Sequence, residues 1–105
     1  YTITQAGKQA FLNSLKSPFG FERYKDALLM RMFFFAHLSK KERLEAADNY
    51  LNQIKSVDGD LQAGQPDVEA KADRFQLLCF QFGLRFFKDL IRNVEKVISE
   101  LQKDE

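Results

Sequence analysis

Phe75-Gln-Leu-Leu-Cys-Phe-Gln-Phe-Gly-Leu-Arg-Phe-Phe-Lys-Asp-Leu-Ile91 places eleven apolar residues among seventeen. A surface helix needs only about three apolar positions in seven to face a core. Read as a helix, the segment and its continuation align Phe80, Leu84, Phe87, Ile91, Val94, Ile98 and Leu101 at spacings of four and three, which is a heptad seam. A second set, Phe75, Cys79, Phe82 and Phe86, repeats with the same spacing. Phe82 follows Phe80 by two residues, about 200° around the axis, so the second stripe lies nearly opposite the first. The helix is apolar on both sides.

The same helix is expected to run from Asp67 to Gln102. Thirty-odd residues at about 1.5 Å each reach roughly 50 Å, whereas a compact domain of about 100 residues has a radius of gyration near 13 Å. The rod should overhang its own domain, and a second copy about a twofold axis is the simplest cover for the overhang. The reading is therefore an all-α, antiparallel, coiled-coil-like dimerisation domain of four helices. A monomer folded tightly round its last helix is the alternative.

A length of 105 residues allows one domain, and 45% apolar with 30% charged residues is ordinary globular composition. Sixteen basic against fifteen acidic residues leave a formal charge of +1, so the chain as a whole carries no field that selects a polyanion. One cysteine, Cys79, cannot form an internal disulfide, which fits a reducing cytoplasm. No apolar run approaches the roughly twenty residues that cross a bilayer, and the start has neither an h-region nor a cleavage site. No membrane partner is expected. The missing initiator Met suggests a longer parent chain.

Along the chain, Tyr1 to Ile3 are β-formers, Thr4 is a good N-cap, and Ala6, Ala10, Phe11 and Leu15 are helically spaced. Ser17-Pro18-Phe19-Gly20 ends that helix. A second helix is expected from about Phe21 to His37. It reads as buried on most sides, with Arg31 reaching solvent or a carboxylate. Ser39-Lys-Lys-Glu42 has the form of a capping box and opens a third helix. Leu44, Ala47, Leu51, Ile54 and Leu61 form its seam, with Asp58 in a seam position and a kink or fraying expected at Val57-Asp-Gly-Asp60. Ala63-Gly-Gln-Pro-Asp67 reads as the turn before the final helix, and Lys103 to Glu105 as a frayed tail.

The chemistry-bearing residues do not assemble. His37 is the only histidine and Cys79 the only thiol, and no nucleophile, base and orienter can be built from sequence neighbours. His37 suits the carbonyl end of a helix, and Cys79 reads as a small core hydrophobe. Asp58-Gly59-Asp60 has its glycine in the wrong position for a calcium loop and no closing glutamate. No phosphate-cradling loop is present. The expectation is no enzyme, with no catalytic, cofactor or metal residues. The eleven phenylalanines serve packing, or line a cavity for an aromatic effector.

At the opening, Tyr1-x-Ile3-Thr4-x-x-Gly7-Lys8 resembles the last wing strand and following helix of PadR-family transcriptional regulators. The helices after it look like the C-terminal domain of the virulence-activator branch of that family. The resemblance implies that residues 1–4 end the wing of a missing winged-helix domain, and that residues 5–105 hold a homodimer whose DNA contact lies in that missing domain. Some relatives bind aromatic effectors near the dimer junction against a tryptophan, and this chain has none. The contact residues expected from the seam are Phe80, Leu84, Phe87, Ile91, Val94 and Ile98. The alternatives are a small-molecule sensor with an aromatic-lined cavity and a helical protein-interaction adaptor.

Overall fold

The computed structural model describes residues 3–18 and 26–105. Among these residues the chain is entirely helical: α1 (Gln5–Lys16), α2 (Ala27–Met32), a 3₁₀ turn (Phe35–His37), α3 (Lys40–Lys71) and α4 (Arg74–Gln102). The proposed wing remnant falls partly on Tyr1 and Thr2, outside the described residues, and Ile3 and Thr4 are not in a strand. Thr4 instead caps α1: its hydroxyl accepts from the Gly7 N–H at 3.0 Å. A Cβ at Gly7 would stand 3.1 Å from that hydroxyl and 3.3 Å from Ile3 Cγ1. The glycine of the Ile-Thr-x-x-Gly pattern thus lets the capping residue and the preceding apolar side chain fold over the first turn.

The second helix is shorter than expected. The Phe21 to Lys25 portion lies outside the described residues, and the rest divides into α2 and the 3₁₀ turn. Asp26 starts α2, accepting from the N–H groups of Leu28 at 2.8 Å and Leu29 at 3.2 Å, and it also accepts from the Tyr50 hydroxyl of α3. This one buried carboxylate fixes both the start of α2 and its docking on α3. The burial expected on most sides is confined to Leu28 and Phe35, because Leu29, Met30, Phe33 and Phe34 are exposed. Arg31 is exposed as well.

The capping box at Ser39 is present in both directions, Glu42 N–H to Ser39 Oγ and Ser39 N–H to Glu42 Oε1. The N–H bond from Ser39 holds the Glu42 carboxyl below its ordinary value of 4.5. From this start α3 runs thirty-two residues without the expected break at Val57 to Asp60 or the expected turn at Ala63 to Asp67. Pro66 is inside the helix, where it removes one backbone bond and costs about 3 kcal/mol. Side-chain ties one turn apart bracket that fault: Gln62 to Asp58 at 2.7 Å, Gln65 to Glu69 at 2.9 Å and Lys71 to Asp67 at 2.9 Å.

The chain turns at Ala72 and Asp73 because Asp73 is the better N-cap. It has Gln76 three residues on to close a second capping box, whereas Asp67 has Ala70 there. The last helix therefore begins at Arg74 and not at Asp67. Two residues of connection make α3 and α4 an antiparallel hairpin. Its open end is tied by Lys40 Nζ to the Gln102 carbonyl at 3.0 Å and by Arg43 to Asp104 at 3.5 Å. Arg43 Nε also donates to the Phe35 carbonyl at 2.7 Å, locking the 3₁₀ turn onto α3.

The core lies at that tied end. Leu28 and Phe35 pack against Ala47, Leu51 and Ile54 of α3 and Val94 and Ile98 of α4. From Gly59 to Asn93 no residue is buried. The radius of gyration, 19.4 Å, and the extents of 63 × 32 × 23 Å are those of a rod. A compact chain of this length would have a radius of gyration near 13 Å.

Candidate interaction surface

The two stripes of α4 have different fates. The seam that was expected to meet a partner is largely the intramolecular contact with α3. Val94 and Ile98 are buried at 3% and 9% exposure, and Phe87, Ile91 and Leu101 pack against the core they belong to. Phe80 and Leu84, nearer the turn, are half-buried. A side chain already dry in the subunit loses no further water to a partner, so Val94 and Ile98 have little left to give.

The opposite stripe is exposed. Phe75 is 70%, Leu78 46%, Phe82 66% and Phe86 37% exposed, and Cys79 between them is exposed too. The last point corrects its reading as a core hydrophobe: among the described residues, the turn-proximal part of the subunit has no layer on that side of α4. The rings are ordered among themselves. Phe82 stacks on Phe86 with centroids 6.4 Å apart, and Phe86 meets Phe87 edge-on at 5.4 Å. The Arg74 guanidinium sits 5.5 Å over the Phe75 ring, where it shields part of the face and adds a cation to its rim. Arg85 and Lys88 are also exposed along this part of the helix.

Around the edge from this face, an open groove of about 550 Å³ separates the turn-proximal parts of α3 and α4, lined mainly by Leu61, Val68, Cys79, Phe80, Gly83 and Phe87. A Cβ on Gly83 would meet nothing within 4 Å. Beside Leu61 on the seam, Asp58 is 8% exposed, with one carboxylate oxygen held by Gln62 and the other without a partner. The sequence placed Asp58 in the seam correctly, and that position is where the packed core stops.

A third apolar surface was legible only as spacing. No residue of α1 is buried. Ile3, Phe11 and Leu15, with Leu12 beside them, are 50%, 56%, 66% and 36% exposed. His37 ends the 3₁₀ turn. Among the described residues no three His, Cys, Asp or Glu side chains gather as metal ligands, and no helix is long and apolar enough to cross a membrane.

Against known proteins, no family model matches the chain and no curated protein does. Solved structures do. The PadR-like transcriptional regulator BC1756 from Bacillus cereus superposes with a TM-score of 0.85 at 16% identity, over 98% of this chain and 62% of its own. PadR from Bacillus subtilis gives 0.81 at 23%, over 99% and 64%. The same protein solved in complex with operator DNA gives 0.81 at 23%, over 96% and 61%. The chain has the fold of the greater part of these regulators and spans less than two thirds of their length.

Proposed function

We propose that this chain is the homodimerisation domain of a PadR-like winged-helix transcriptional regulator of the virulence-activator type, with the DNA-reading head in a segment outside these residues. The observation that carries the reading is the exposed face of Phe75, Leu78, Phe82 and Phe86 on a helix whose other side already serves its own core. A contiguous apolar face of this size, rimmed by Arg74 and Arg85, is characteristic of an interaction site. The shared fold supports the choice of partner and of parent protein. Two such domains related by a twofold axis would hold two heads at a fixed spacing along a duplex.

The contact on this proposal is centred on the Phe75 to Phe86 stripe, with Phe80 and Leu84 at its edge and Phe87, Ile91, Val94 and Ile98 supporting it from inside the subunit. Four half-exposed large side chains, at roughly 1 kcal/mol each for the area still wet, give about 8 kcal/mol gross per dimer. That is of the order of the cost of association itself. In sedimentation the chain is expected to run as a dimer, and Phe82→Asp is expected to run as a monomer whose α3 and α4 hairpin stays folded. A Phe82→Asp dimer with unaltered affinity would refute the proposed face.

A second reading, effector sensing, is favoured by the groove between α3 and α4. Its volume and its lining by Phe80 and Phe87 suit a small aromatic molecule. A rise in melting temperature with a phenolic acid, absent in Gly83→Leu, would support it.

A further inference from the structure

We infer that the dimer is reciprocal: α1 of each subunit lies on the Phe75 to Phe86 face of the other. This rests on the homodimer reading above and adds the identity of what covers the face. Three observations carry it.

The first is that no residue of α1 is buried. A twelve-residue helix is marginal in water on its own, and neither its Thr4 cap nor the Gln9 to Asn13 side-chain bond changes that much. It keeps Ile3, Phe11, Leu12 and Leu15 at a third to two thirds exposure with no buried residue. An amphipathic helix of that kind needs a surface, and among the described residues the core includes none of α1.

The second is that the dimensions match. The twelve residues of α1 span about 18 Å at helical rise, and the twelve from Phe75 to Phe86 span about the same. Phe11 and Leu15 lie one turn apart on α1, with Leu12 beside them, and Phe75, Leu78, Phe82 and Phe86 follow at three and four on α4, a pairing suited to a single helix crossing.

The third is area. A stable interface buries about 800 Å² per partner. A phenylalanine that is fully buried removes about 150 to 250 Å² from water. At their observed exposures the four side chains on α4 offer only roughly half of what a stable contact needs. The four on α1 offer about as much again, so the dimer reaches the required area when both stripes are used. Exchange of α1 covers both stripes in each subunit with one symmetric contact.

The test uses the whole chain and two single variants. Because Phe11 supports no core, Phe11→Asp folds, and its dimer is expected to dissociate at least tenfold more readily than the wild type. In both Phe11→Asp and Phe82→Asp, the amides of α1 should lose hydrogen-exchange protection. A Phe11→Cys variant under mild oxidation should form a bond between position 11 of one subunit and Cys79 of the other, identified from the joined peptides in a dimer-sized species. If the wild type is a monomer, or Phe82→Asp remains a dimer, the homodimer reading itself fails. If Phe82→Asp is monomeric while Phe11→Asp dimerises with wild-type affinity, only the exchange of α1 fails. A bond between positions 11 and 79 within one chain would likewise overturn the exchange, because α1 would then cover its own subunit.

Discussion

The two ends of the α3 and α4 hairpin are built from similar sequence and end up as different kinds of structure. At the tied end, Ala47, Leu51 and Ile54 face Val94 and Ile98, and α2 with Phe35 closes over them. At the turn end, Leu61 and Val68 line an open groove with Phe80 and Phe87, without a third layer among the described residues, and nothing from Gly59 to Asn93 is buried. The periodicity of apolar residues is as strong in Phe75 to Phe87 as in Ile91 to Leu101. What differs is whether another element of the same chain is within reach. Regular spacing therefore reports that a face wants cover, and says nothing of who provides it.

The largest expected effect separates the two ends by kind. Val94→Asp places a charge in a dry core and is expected to abolish cooperative folding, whereas Phe82→Asp should leave the α3 and α4 hairpin folded, with a cooperative melt, while removing the dimer. Circular dichroism melts and sedimentation on the two variants together check this. Equal unfolding by both would erase the distinction between the ends.

A smaller effect should come from the boundary. Asp58 is a seam residue with one carboxylate oxygen buried and unpartnered, a cost of about 1–3 kcal/mol. Asp58→Leu should extend the packed seam toward Leu61 and raise the unfolding free energy by about 1–3 kcal/mol, read as a higher urea midpoint at constant slope. A lowered midpoint would mean that the carboxylate has a partner in the assembled protein.

The smallest effect concerns pH at the tied end. The Glu42 carboxyl is held below 4.5 by its bond from the Ser39 N–H, so it is more acidic in the folded chain than in the unfolded one. Its contribution is complete above the unfolded value and fades as pH falls through the folded value. Between pH 6 and pH 3, Glu42→Gln should therefore show a shallower loss of stability than the wild type, and identical slopes would remove Glu42 from the account.

Much of the helical layout was legible. Thr4, Ser39 and the α3 seam through Ile54 announced where helices start and which side of α3 is dry, because capping and heptad spacing are local. The turn was misplaced for a reason that is also local. Gly64 and Pro66 are strong break signals, yet the chain breaks at Ala72, where Asp73 and Gln76 satisfy the orphan amides of the next helix. The candidate surface was half legible: both stripes of α4 could be drawn, but the seam assigned to a partner contains residues that the subunit keeps.

The amino-acid order alone determined that this chain is helical, that its last helix is apolar on two sides, and that Asp58 stands in a seam, since each depends only on the 3.6-residue period and on neighbours within a turn. The tertiary structure decided that α3 takes the Val94 and Ile98 side, that Cys79 and Phe82 stand in the open, and that α1 has no bed in its own core. Those outcomes depend on which elements the short connections allow to meet, and on a core that is complete at only one end of the rod.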